Sequence, residues 1–376
     1  MKTVLISGAS VAGLTLAHWL RRRGCTPTVV ERAPGLRPGG QAVDVRGVAL
    51  DVLERTGVLD EARRLRTRMR GMSMLDADGT ELWRSTELAL SSGRFDSPDV
   101  ELLREDLTRL LHSRAQDGVE YLFGDSVTAL DQSTDGVRVR FRHAAPRTFD
   151  AVVGADGLRS TVRRLAFGPE ERHIRHLGAY VGVFSARNFL GLDDWQTWLQ
   201  SDGASYCVYP VRGNTQLRVT LGFESGPLDY DHRDTGQQKA LVADRLAHLG
   251  WETPRLLEAM RQAPDFYFDA VAQVRMERRS YGAVALAGDA GYAPSVLSGQ
   301  GTSMALVGGY VLAEEIAAAG SGSGGPEEGV GSAFARCEER MRRFVALNQA
   351  LATENPGGAA SEESMERAKW ALTLGG

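Results

Sequence analysis

A glycine-rich turn near the start of the chain has the residue types and spacing of a dinucleotide-binding site. It reads Gly8-x-Ser10-x-x-Gly13. Gly8 permits a tight turn, and Gly13 lets the following helix pack closely against the preceding strand. Ser10 stands where the usual fingerprint has a second glycine, and its side chain is small enough for a phosphate to approach the backbone. The turn therefore predicts a pyrophosphate site at a helix N-terminus, with a purely structural glycine turn as the alternative.

The segments around this turn are those that such a site requires. Thr3–Ser7 has the apolar sequence of a buried strand, Leu14–Arg23 has helical spacing of apolar residues, and Thr26–Glu31 reads as a second strand. Together they predict a βαβ unit, which builds parallel sheets. Glu31, at the end of the second strand, is placed to accept hydrogen bonds from ribose hydroxyls. The unit by itself fits either NAD or FAD.

A second polar segment follows another predicted buried strand, Val284–Ala287. Gly288 and Asp289 close that strand, so the Asp289 carboxylate can accept hydrogen bonds from the hydroxyls of a cofactor, such as those of a ribityl chain. A helix N-cap is the alternative role for this residue. Pro294 and the stretch Gly299-Gln300-Gly301-Thr302 then lead into a predicted helix rich in small residues. Free amides and the helix dipole at that N-terminus would stabilise a negative charge brought next to it.

A third segment, Asp156-Gly157, follows the predicted strand Phe149–Gly154. A carboxylate with a glycine behind it can meet polar parts of a folded cofactor where bulkier groups would clash. Asp-Gly is also a very common turn dipeptide, so the sequence alone leaves the role of this pair open.

These three segments, in this order, resemble the class A flavoprotein monooxygenases, the family of para-hydroxybenzoate hydroxylase and the tetracycline-inactivating oxygenases. The matching stretches are Gly8–Arg32, Val153–Arg163 and Leu286–Ala305, and the resemblance spans essentially the whole chain. It implies an α/β fold with a Rossmann-like FAD-binding domain of the GR2 type, an inserted β-sheet-rich substrate domain and C-terminal helices. We predict a discontinuous FAD-binding domain at 1–70, 97–172 and 275–320, a substrate domain at 71–96 and 173–274, and a C-terminal helical segment at 332–376.

The resemblance implies that the predicted helix N-terminus after Gly299 faces the flavin, whose reduced form carries negative charge there, and this favours flavin over NAD. It also implies roles for residues outside these segments. Arg46, within Gln41–Gly47, and Arg104 would contact FAD, and Asp44 aligns with an acidic residue that tetracycline-inactivating members place near flavin N5. The chain has 41 arginines, so surface ion pairing is the alternative for either arginine. The full predicted cofactor-binding set is Gly8, Ser10, Ala12, Gly13, Glu31, Arg32, Asp44, Arg46, Arg104, Val127, Asp156, Gly157, Gly288, Asp289, Pro294, Gly299, Gly301 and Thr302.

The function that the resemblance implies is monooxygenation. NADPH or NADH would reduce FAD, O₂ would add at flavin C4a, and the resulting hydroperoxide would oxygenate an aromatic or polycyclic small molecule in secondary metabolism or antibiotic modification. Hydroxylation, epoxidation and Baeyer–Villiger insertion all stay open, and we assign no catalytic base. Two other interpretations remain: a flavin-binding accessory protein without turnover, and a flavin-dependent halogenase, for which Lys2, Lys239 and Lys369 are badly placed.

The region from about His176 to Phe268 predicts a second, sheet-based domain with one amphipathic helix, Gln238–Leu249. If Ser205–Pro210 and Gln216–Phe223 are antiparallel strands, one face of each lines a cavity against the flavin. Aromatic residues in such strands are more often plain core. The substrate candidates are Tyr206, Tyr209, Arg218 and Phe223. Elsewhere we expect helices at Glu101–Gln116 and about Ser332–Thr353, and a flexible loop at Gly320–Gly331.

Composition describes an ordinary globular protein. Of 376 residues, 43% are hydrophobic and 24% are charged, and a net charge of -4 lacks the basic surface expected of a nucleic-acid-binding protein. The three cysteines lie in no C-x-x-C pattern, so we expect reduced thiols and no metal site. No run of about 18 apolar residues occurs, so we expect no membrane span. These features favour a cytoplasmic monomer or homodimer whose partners are a small organic substrate and O₂.

Overall fold

The computed structural model describes residues 2–90, 93–319, 329–355 and 359–375. Residues 320–328 of the predicted loop Gly320–Gly331 lie outside this part of the chain.

The described residues form runs of strands separated by single helices or groups of helices. The strands are β1 (Thr3–Ser7), β2 (Thr26–Glu31), β3 (Ala42–Val45), β4 (Gly71–Leu75), β5 (Glu81–Ser85), β6 (Leu88–Ala89), β7 (Gly93–Arg94), β8 (Val100–Leu103), β9 (Glu120–Phe123), β10 (Val127–Ser133), β11 (Gly136–Phe141), β12 (Arg147–Phe149), β13 (Ala151–Gly154), β14 (Ile174–Arg187), β15 (Trp195–Ser201), β16 (Ala204–Val211), β17 (Gln216–Glu224), β18 (Tyr267–Val274), β19 (Ser280–Tyr281) and β20 (Val284–Leu286). The helices are α1 (Val11–Arg22), α2 (Val48–Thr56), α3 (Leu59–Arg64), α4 (Arg104–Ala115), α5 (Thr161–Phe167), α6 (Thr235–Leu246), α7 (Thr253–Gln262), α8 (Asp289–Tyr292), α9 (Gly301–Ala318), α10 (Val330–Ala350) and α11 (Glu362–Lys369), with short 3₁₀ turns at Glu170–Arg172 and Val296–Ser298.

A mostly parallel six-stranded sheet holds the glycine-rich turn. Its strand order is β19-β20-β13-β1-β2-β9, and β19 alone runs antiparallel to its neighbour. The carboxyl ends of parallel strands meet at one edge of a sheet. Ser7, Glu31, Gly154 and Leu286 end four of these strands. The three segments singled out in the sequence therefore follow strand ends that lie side by side.

Apolar residues cover both faces of this sheet, as a parallel sheet requires. One face packs against α1, α2, α4, α9 and α10 in a core that includes Ile6, Val153 and Leu306. The other face packs against α5 and a three-stranded antiparallel sheet, β10-β11-β12, through Leu5 and Val152. Alternate residues of β1 and β13 thus enter different cores, which holds the strand ends rigidly from both sides.

The second large sheet is mainly antiparallel, with strand order β18-β14-β17-β16-β15-β4-β5 and one parallel pair, β15 with β4. One face is covered by α6 and α7, with Leu217 and Leu256 in the shared core. The opposite face contributes Cys207 and Tyr209 to a smaller cluster with Leu103. The predicted α/β class, with a Rossmann-like sheet and a separate sheet-rich part, is confirmed, while the domain boundaries stay a prediction.

Two elements differ from those predicted. The helix expected at Glu101–Gln116 begins only at Arg104, because Val100–Leu103 pairs with β3 as strand β8. A second helix, α7, follows α6 where the sequence predicted one helix; it buries Leu256, Leu257 and Met260 against the sheet, and a proline lies in its first turn, where no backbone donor is needed.

Among the described residues, no helix is both long and apolar enough to cross a membrane. The same residues contain no group of three or more His, Cys, Asp or Glu side chains arranged to hold a metal ion.

Candidate functional site

The turn between β1 and α1 has the close packing that its glycines predicted. Gly8 has a φ of +113°, and a Cβ on it would lie 2.4 Å from the Ala155 carbonyl oxygen. A Cβ on Gly13 would lie 1.9 Å from the Gly8 carbonyl oxygen, so neither position tolerates a side chain. The helix begins at Val11, and no acceptor among the described residues reaches the amides of Ala12 or Gly13. These amides remain available to a phosphate.

Glu31 holds this turn in place from the neighbouring strand. Its carboxylate accepts hydrogen bonds from the Ala9 amide and the Ala33 amide, both at 2.9 Å. Each carboxylate oxygen has a further lone pair, so the group can still accept from a ribose hydroxyl. Arg32, the next residue, is exposed. Glu31 therefore has a structural role that the sequence did not reveal, in addition to its predicted binding role.

Arg104 lies over the turn without a carboxylate partner. Its guanidinium donates a hydrogen bond to the Ser10 hydroxyl at 3.2 Å. Among the described residues, no carboxylate lies within ion-pair distance of it. Burial, together with the nearby positive charge of Arg37, lowers its pKa to about 10. A partly buried guanidinium beside free helix amides can bind an anion such as a phosphate.

The end of β20 places a second open charge. Gly288, with a φ of +60°, lies so close to α1 that a Cβ on it would be 2.9 Å from the Ala12 Cβ. Asp289 is exposed to solvent, yet the surrounding protein desolvates its carboxyl group, and this desolvation, with a further contribution from Asp269, raises its pKa to about 6. No donor among the described residues reaches its carboxylate. It lies near the start of α9, with Oδ1 at 3.8 Å from the Cβ position of Gly301.

The start of α9 is uncapped, as a flavin-facing helix end would be. No side chain caps it, and Gly301 and Thr302 begin the helix. Gly299, just before the helix, has a φ of +63°. A Cβ on Gly299 would lie 3.7 Å from a guanidinium nitrogen of Arg46. Pro294 is buried, and its carbonyl accepts from the Gln273 amide at 2.9 Å, which fixes the loop.

Asp44 and Arg46 form an ion pair beside this loop, at 2.9 Å. Burial raises the Asp44 pKa to about 7, although the Arg46 charge opposes the rise. The Ser303 hydroxyl of α9 accepts from the Arg46 amide at 3.0 Å and donates to the Asp44 carbonyl at 3.3 Å, which ties β3 to the helix start. Met365 of α11 lies against Arg46, 3.6 Å from its guanidinium. The pair thus forms one wall beside the helix end.

Two predicted cofactor residues have their side chains occupied elsewhere. The Asp156 carboxylate accepts from the Ser160 hydroxyl and, at 2.9 Å, from the Thr161 amide, so its side chain is engaged at the start of α5. The Val127 side chain is 3% exposed in the core beneath the parallel sheet. Gly157, with a φ of +82°, has open space around its Cβ position. Of these three residues, Gly157 is the one with open space beside it.

The four substrate candidates divide between the two faces of the antiparallel sheet. Tyr206 and Phe223 lie in the core against α6 and α7, and the Tyr206 hydroxyl bonds to Thr253. This placement corrects the expectation that they line a cavity against the flavin. Side chains alternate between the two faces along a strand, and these two lie on the face covered by α6 and α7. Tyr209 and Arg218 are paired neighbours on the other face.

Neither of those two is free to meet a ligand unaided. The Tyr209 hydroxyl accepts from the Ala42 amide at 2.8 Å, at the start of β3, the strand that carries Asp44. Arg218 is 2% exposed and pairs with Glu105 at 2.8 Å, and Glu105 also accepts from the Gly39 amide at 3.0 Å. Arg218 therefore links the antiparallel sheet to α4 through Glu105.

Sequence reasoning missed Glu105 and Tyr267. Glu105 follows Arg104 at the start of α4, and an acidic residue in a first helical turn looks like ordinary dipole compensation. Tyr267 is partly exposed; burial of its hydroxyl raises the pKa of this group, and the charges of Asp289 and Arg104 are among those that act on it. Nothing in the sequence distinguishes it from other strand tyrosines.

Comparison with known proteins places this site in a family. Residues 1–346 match the family model described as FAD binding domain. An uncharacterized protein of Mycobacterium tuberculosis is 51% identical over 376 residues, covering 100% of this chain and 99% of the relative. A flavin-dependent monooxygenase from an unknown prokaryotic organism is 37% identical over 350 residues, covering 93% of this chain and 88% of the relative.

Solved structures agree with this placement. The crystal structure of the tetracycline destructase Tet(51) has a TM-score of 0.88 and 31% identity, with 100% of both chains covered. Family model, relatives and structure all fit the uncapped helix ends and the open Arg104 and Asp289 described above. The chain belongs to the class A flavoprotein monooxygenase family.

Proposed function

We propose that this chain is an FAD-dependent monooxygenase that uses NADPH or NADH and O₂ to oxygenate an aromatic or polycyclic small molecule, in secondary metabolism or antibiotic modification. The observation that carries the proposal is one pair of open charges. Arg104 has no carboxylate partner and Asp289 has no donor among the described residues, and both act on Tyr267. FAD offers a pyrophosphate to the first and ribityl hydroxyls to the second.

The surrounding residues fit the rest of that cofactor. The amides of Ala12 and Gly13 would share the pyrophosphate with Arg104, and the free lone pairs of Glu31 would accept from the adenosine ribose. The start of α9 at Gly301 would face the flavin ring. When bound, FAD would supply the redox chemistry, taking hydride from the reduced nicotinamide and reacting with O₂ at C4a.

The chain's own contribution is placement and exclusion of water. The Asp44–Arg46 pair lies beside the start of α9, where it would hold or release a proton close to the flavin ring. Tyr209 and Leu103 pack over the same strand and keep that side dry. A dry site protects a reactive oxygen adduct from water. We place this reaction in the cytoplasm, in a monomer or homodimer.

Purified protein tests the proposal directly. We expect it to be yellow and to release FAD on denaturation, with mass spectrometry identifying the cofactor. NADPH and NADH oxidation are then measured with phenols, polycyclic aromatic compounds and tetracycline as candidate substrates. The masses of products formed under ¹⁸O₂ are determined by mass spectrometry. Incorporation of one labelled oxygen supports the proposal. A colourless protein that binds NAD alone contradicts it.

Two further outcomes identify the alternatives. A protein that holds FAD but neither oxidises a reduced nicotinamide nor oxygenates any compound is the accessory protein. A halogenated product formed only with added chloride or bromide indicates a halogenase.

A further inference from the structure

A cavity of about 750 Å³ opens beside Asp44. One wall is the segment 63–70, which runs from the end of α3 to the residue before β4, and another is the segment 94–101, which runs from the end of β7 into β8. Its volume lies within the range of roughly 300–1,000 Å³ typical of small-molecule sites. Because Asp44 belongs both to this cavity and to the strand beside the start of α9, a molecule in the cavity lies next to the flavin end of the proposed cofactor site.

Arginine dominates the charged lining of this cavity. Its six arginines are Arg63, Arg64, Arg66, Arg68, Arg70 and Arg94. Three of them have carboxylate partners outside the lining: Arg63 with Asp60, Arg70 with Asp193, and Arg94 with Asp96. Exposed pairs of this kind are weak and leave little net charge.

The other three arginines are uncompensated. Among the described residues, no carboxylate lies within ion-pair distance of Arg64, Arg66 or Arg68, and all three side chains are exposed. The acids of the lining do not balance them in full, because Asp44 pairs with Arg46 and Asp99 with Lys369.

Two acids remain in the lining. Glu101 accepts a hydrogen bond from the Thr67 hydroxyl, and Asp194 lies at the start of β15. Three unpaired cations against these two acids leave a positive potential along the 64–68 edge. Concave walls of low dielectric concentrate such a potential.

We infer that this cavity binds a small molecule by an acidic group, a carboxylate or a phosphate, which Arg64, Arg66 and Arg68 hold while the rest of the molecule extends toward Asp44. Guanidinium groups bind both anions through paired hydrogen bonds, whereas a neutral ring would need no such set. The inference rests on the proposed function. The anion has two sources: an organic acid that is the substrate, or the phosphates of the reduced dinucleotide.

The test compares two triple variants of the FAD-loaded protein. Arg64→Gln/Arg66→Gln/Arg68→Gln removes the proposed anion site. Arg138→Gln/Arg140→Gln/Arg142→Gln is the matched control, because these arginines are also exposed and have the same spacing, but lie on and just after β11, away from the cavity.

Three probes report on the site. Binding of 1-naphthoate and of its neutral amide is titrated by the change in flavin absorbance, NADPH affinity is taken from anaerobic flavin reduction, and ferricyanide and benzoquinone serve as anionic and neutral oxidants of the reduced flavin. We expect the cavity variant to lose about tenfold or more in affinity for naphthoate or NADPH, and in its rate with ferricyanide, from the loss of charge-assisted hydrogen bonds. The amide, benzoquinone and the control variant should show no such change.

The three probes distinguish an acidic substrate from the dinucleotide phosphates, and they distinguish failure of this inference from failure of the proposed function. A loss confined to naphthoate assigns the arginines to an acidic substrate, and a loss confined to NADPH assigns them to the dinucleotide phosphates. Unchanged naphthoate, NADPH and ferricyanide values in the cavity variant overturn the inference, even if naphthoate proves a poor ligand, since ferricyanide needs no shape match. The proposed function fails separately, if the wild-type chain holds no FAD.

Discussion

The Arg104 guanidinium and the Ser10 hydroxyl are joined by a hydrogen bond of 3.2 Å, although the residues are 94 positions apart. Ser10 stands where the dinucleotide fingerprint has glycine, so the departure from the fingerprint supplies an acceptor that glycine lacks. The contact holds the cation over the amides of Ala12 and Gly13, where a pyrophosphate would lie. The serine thus helps to build the anion site.

Replacing Arg104 by glutamine should weaken FAD binding by about 1.5–3 kcal/mol, the range for hydrogen bonds to a charged group. Burial lowers the pKa of this arginine, which means that its charged form is disfavoured in the folded apoprotein. Removing the charge should therefore not lower the melting temperature of the apoprotein. Fluorescence titration of apoprotein with FAD measures the change. Arg109→Gln is the control on the same helix, since that side chain is 57% exposed. Equal FAD affinity in wild type and Arg104→Gln would place the phosphates elsewhere.

Glu31→Ala should reduce both FAD affinity and the stability of the apoprotein. The carboxylate accepts from the amides of Ala9 and Ala33, so its removal leaves two donors without a partner as well as removing the ribose acceptor. We expect about 1–3 kcal/mol in FAD binding, and a lower melting temperature. Glu120→Gln, on the neighbouring strand β9, is the control. Wild-type FAD affinity with only a stability loss would leave Glu31 a purely structural residue.

Lys369 of α11 and Asp99 form a covered ion pair at 3.1 Å, with side chains 6% and 12% exposed. Asp99 also accepts from the Gly47 amide at 3.2 Å, so the pair fastens the C-terminal helix beside Arg46. Lys369→Met should destabilise the protein by about 3–5 kcal/mol because it leaves a covered carboxylate alone, and adding Asp99→Asn should recover much of the loss. Thermal unfolding of both variants checks this; equal melting temperatures of the single variant and wild type would contradict it.

The strand ends and glycine turns were predictable from sequence because parallel-sheet geometry leaves few choices. A short apolar strand, a glycine turn and a helix can close in one way, and Gly8 and Gly13 meet backbone atoms at 2.4 and 1.9 Å from their Cβ positions, as that geometry demands. Asp289 follows the same rule at β20. Local pattern was sufficient wherever a residue's role depends on its own turn.

The faces of the antiparallel sheet were not predictable. Both faces of β16 are buried, so its sequence lacks the alternation that shows which side faces a core. Tyr206 and Tyr209 are three residues apart on β16, so their side chains lie on opposite faces of the sheet. The partner of Arg218 is Glu105, 113 residues away, and no local signal reports such a contact. Asp156 differs, because a local signal for its role was present in the sequence. Ser160, four residues later, is a typical helix N-cap residue and caps α5, so a contact between Asp156 and the start of that helix could have been expected.

FAD affinity should depend on pH through Asp289. Burial raises its pKa to about 6, so the group is a carboxylate above that pH and neutral below it. Ribityl hydroxyls donate to the carboxylate, so binding favours the ionised form and affinity should fall as pH drops through 6, by up to about tenfold per pH unit. Asp289→Asn should bind FAD more weakly at pH 8 and show no such slope. Titrations from about pH 5 to 8 test this, with exposed Asp131→Asn as control.

Asp44 and Arg46 should give different kinetic signatures although they are paired. Burial raises the Asp44 pKa to about 7, so the ion pair is complete above that pH and lost by protonation below it. If the carboxylate orders protons near the flavin, product formed per NADPH should fall as pH drops from about 8 to 6, and Asp44→Asn should retain FAD with a low, pH-independent yield. Arg46→Ala should chiefly release FAD. Labelled product and NADPH consumption, measured together, decide it: wild-type yield and flavin reduction in Asp44→Asn would make the carboxylate a structural strand residue.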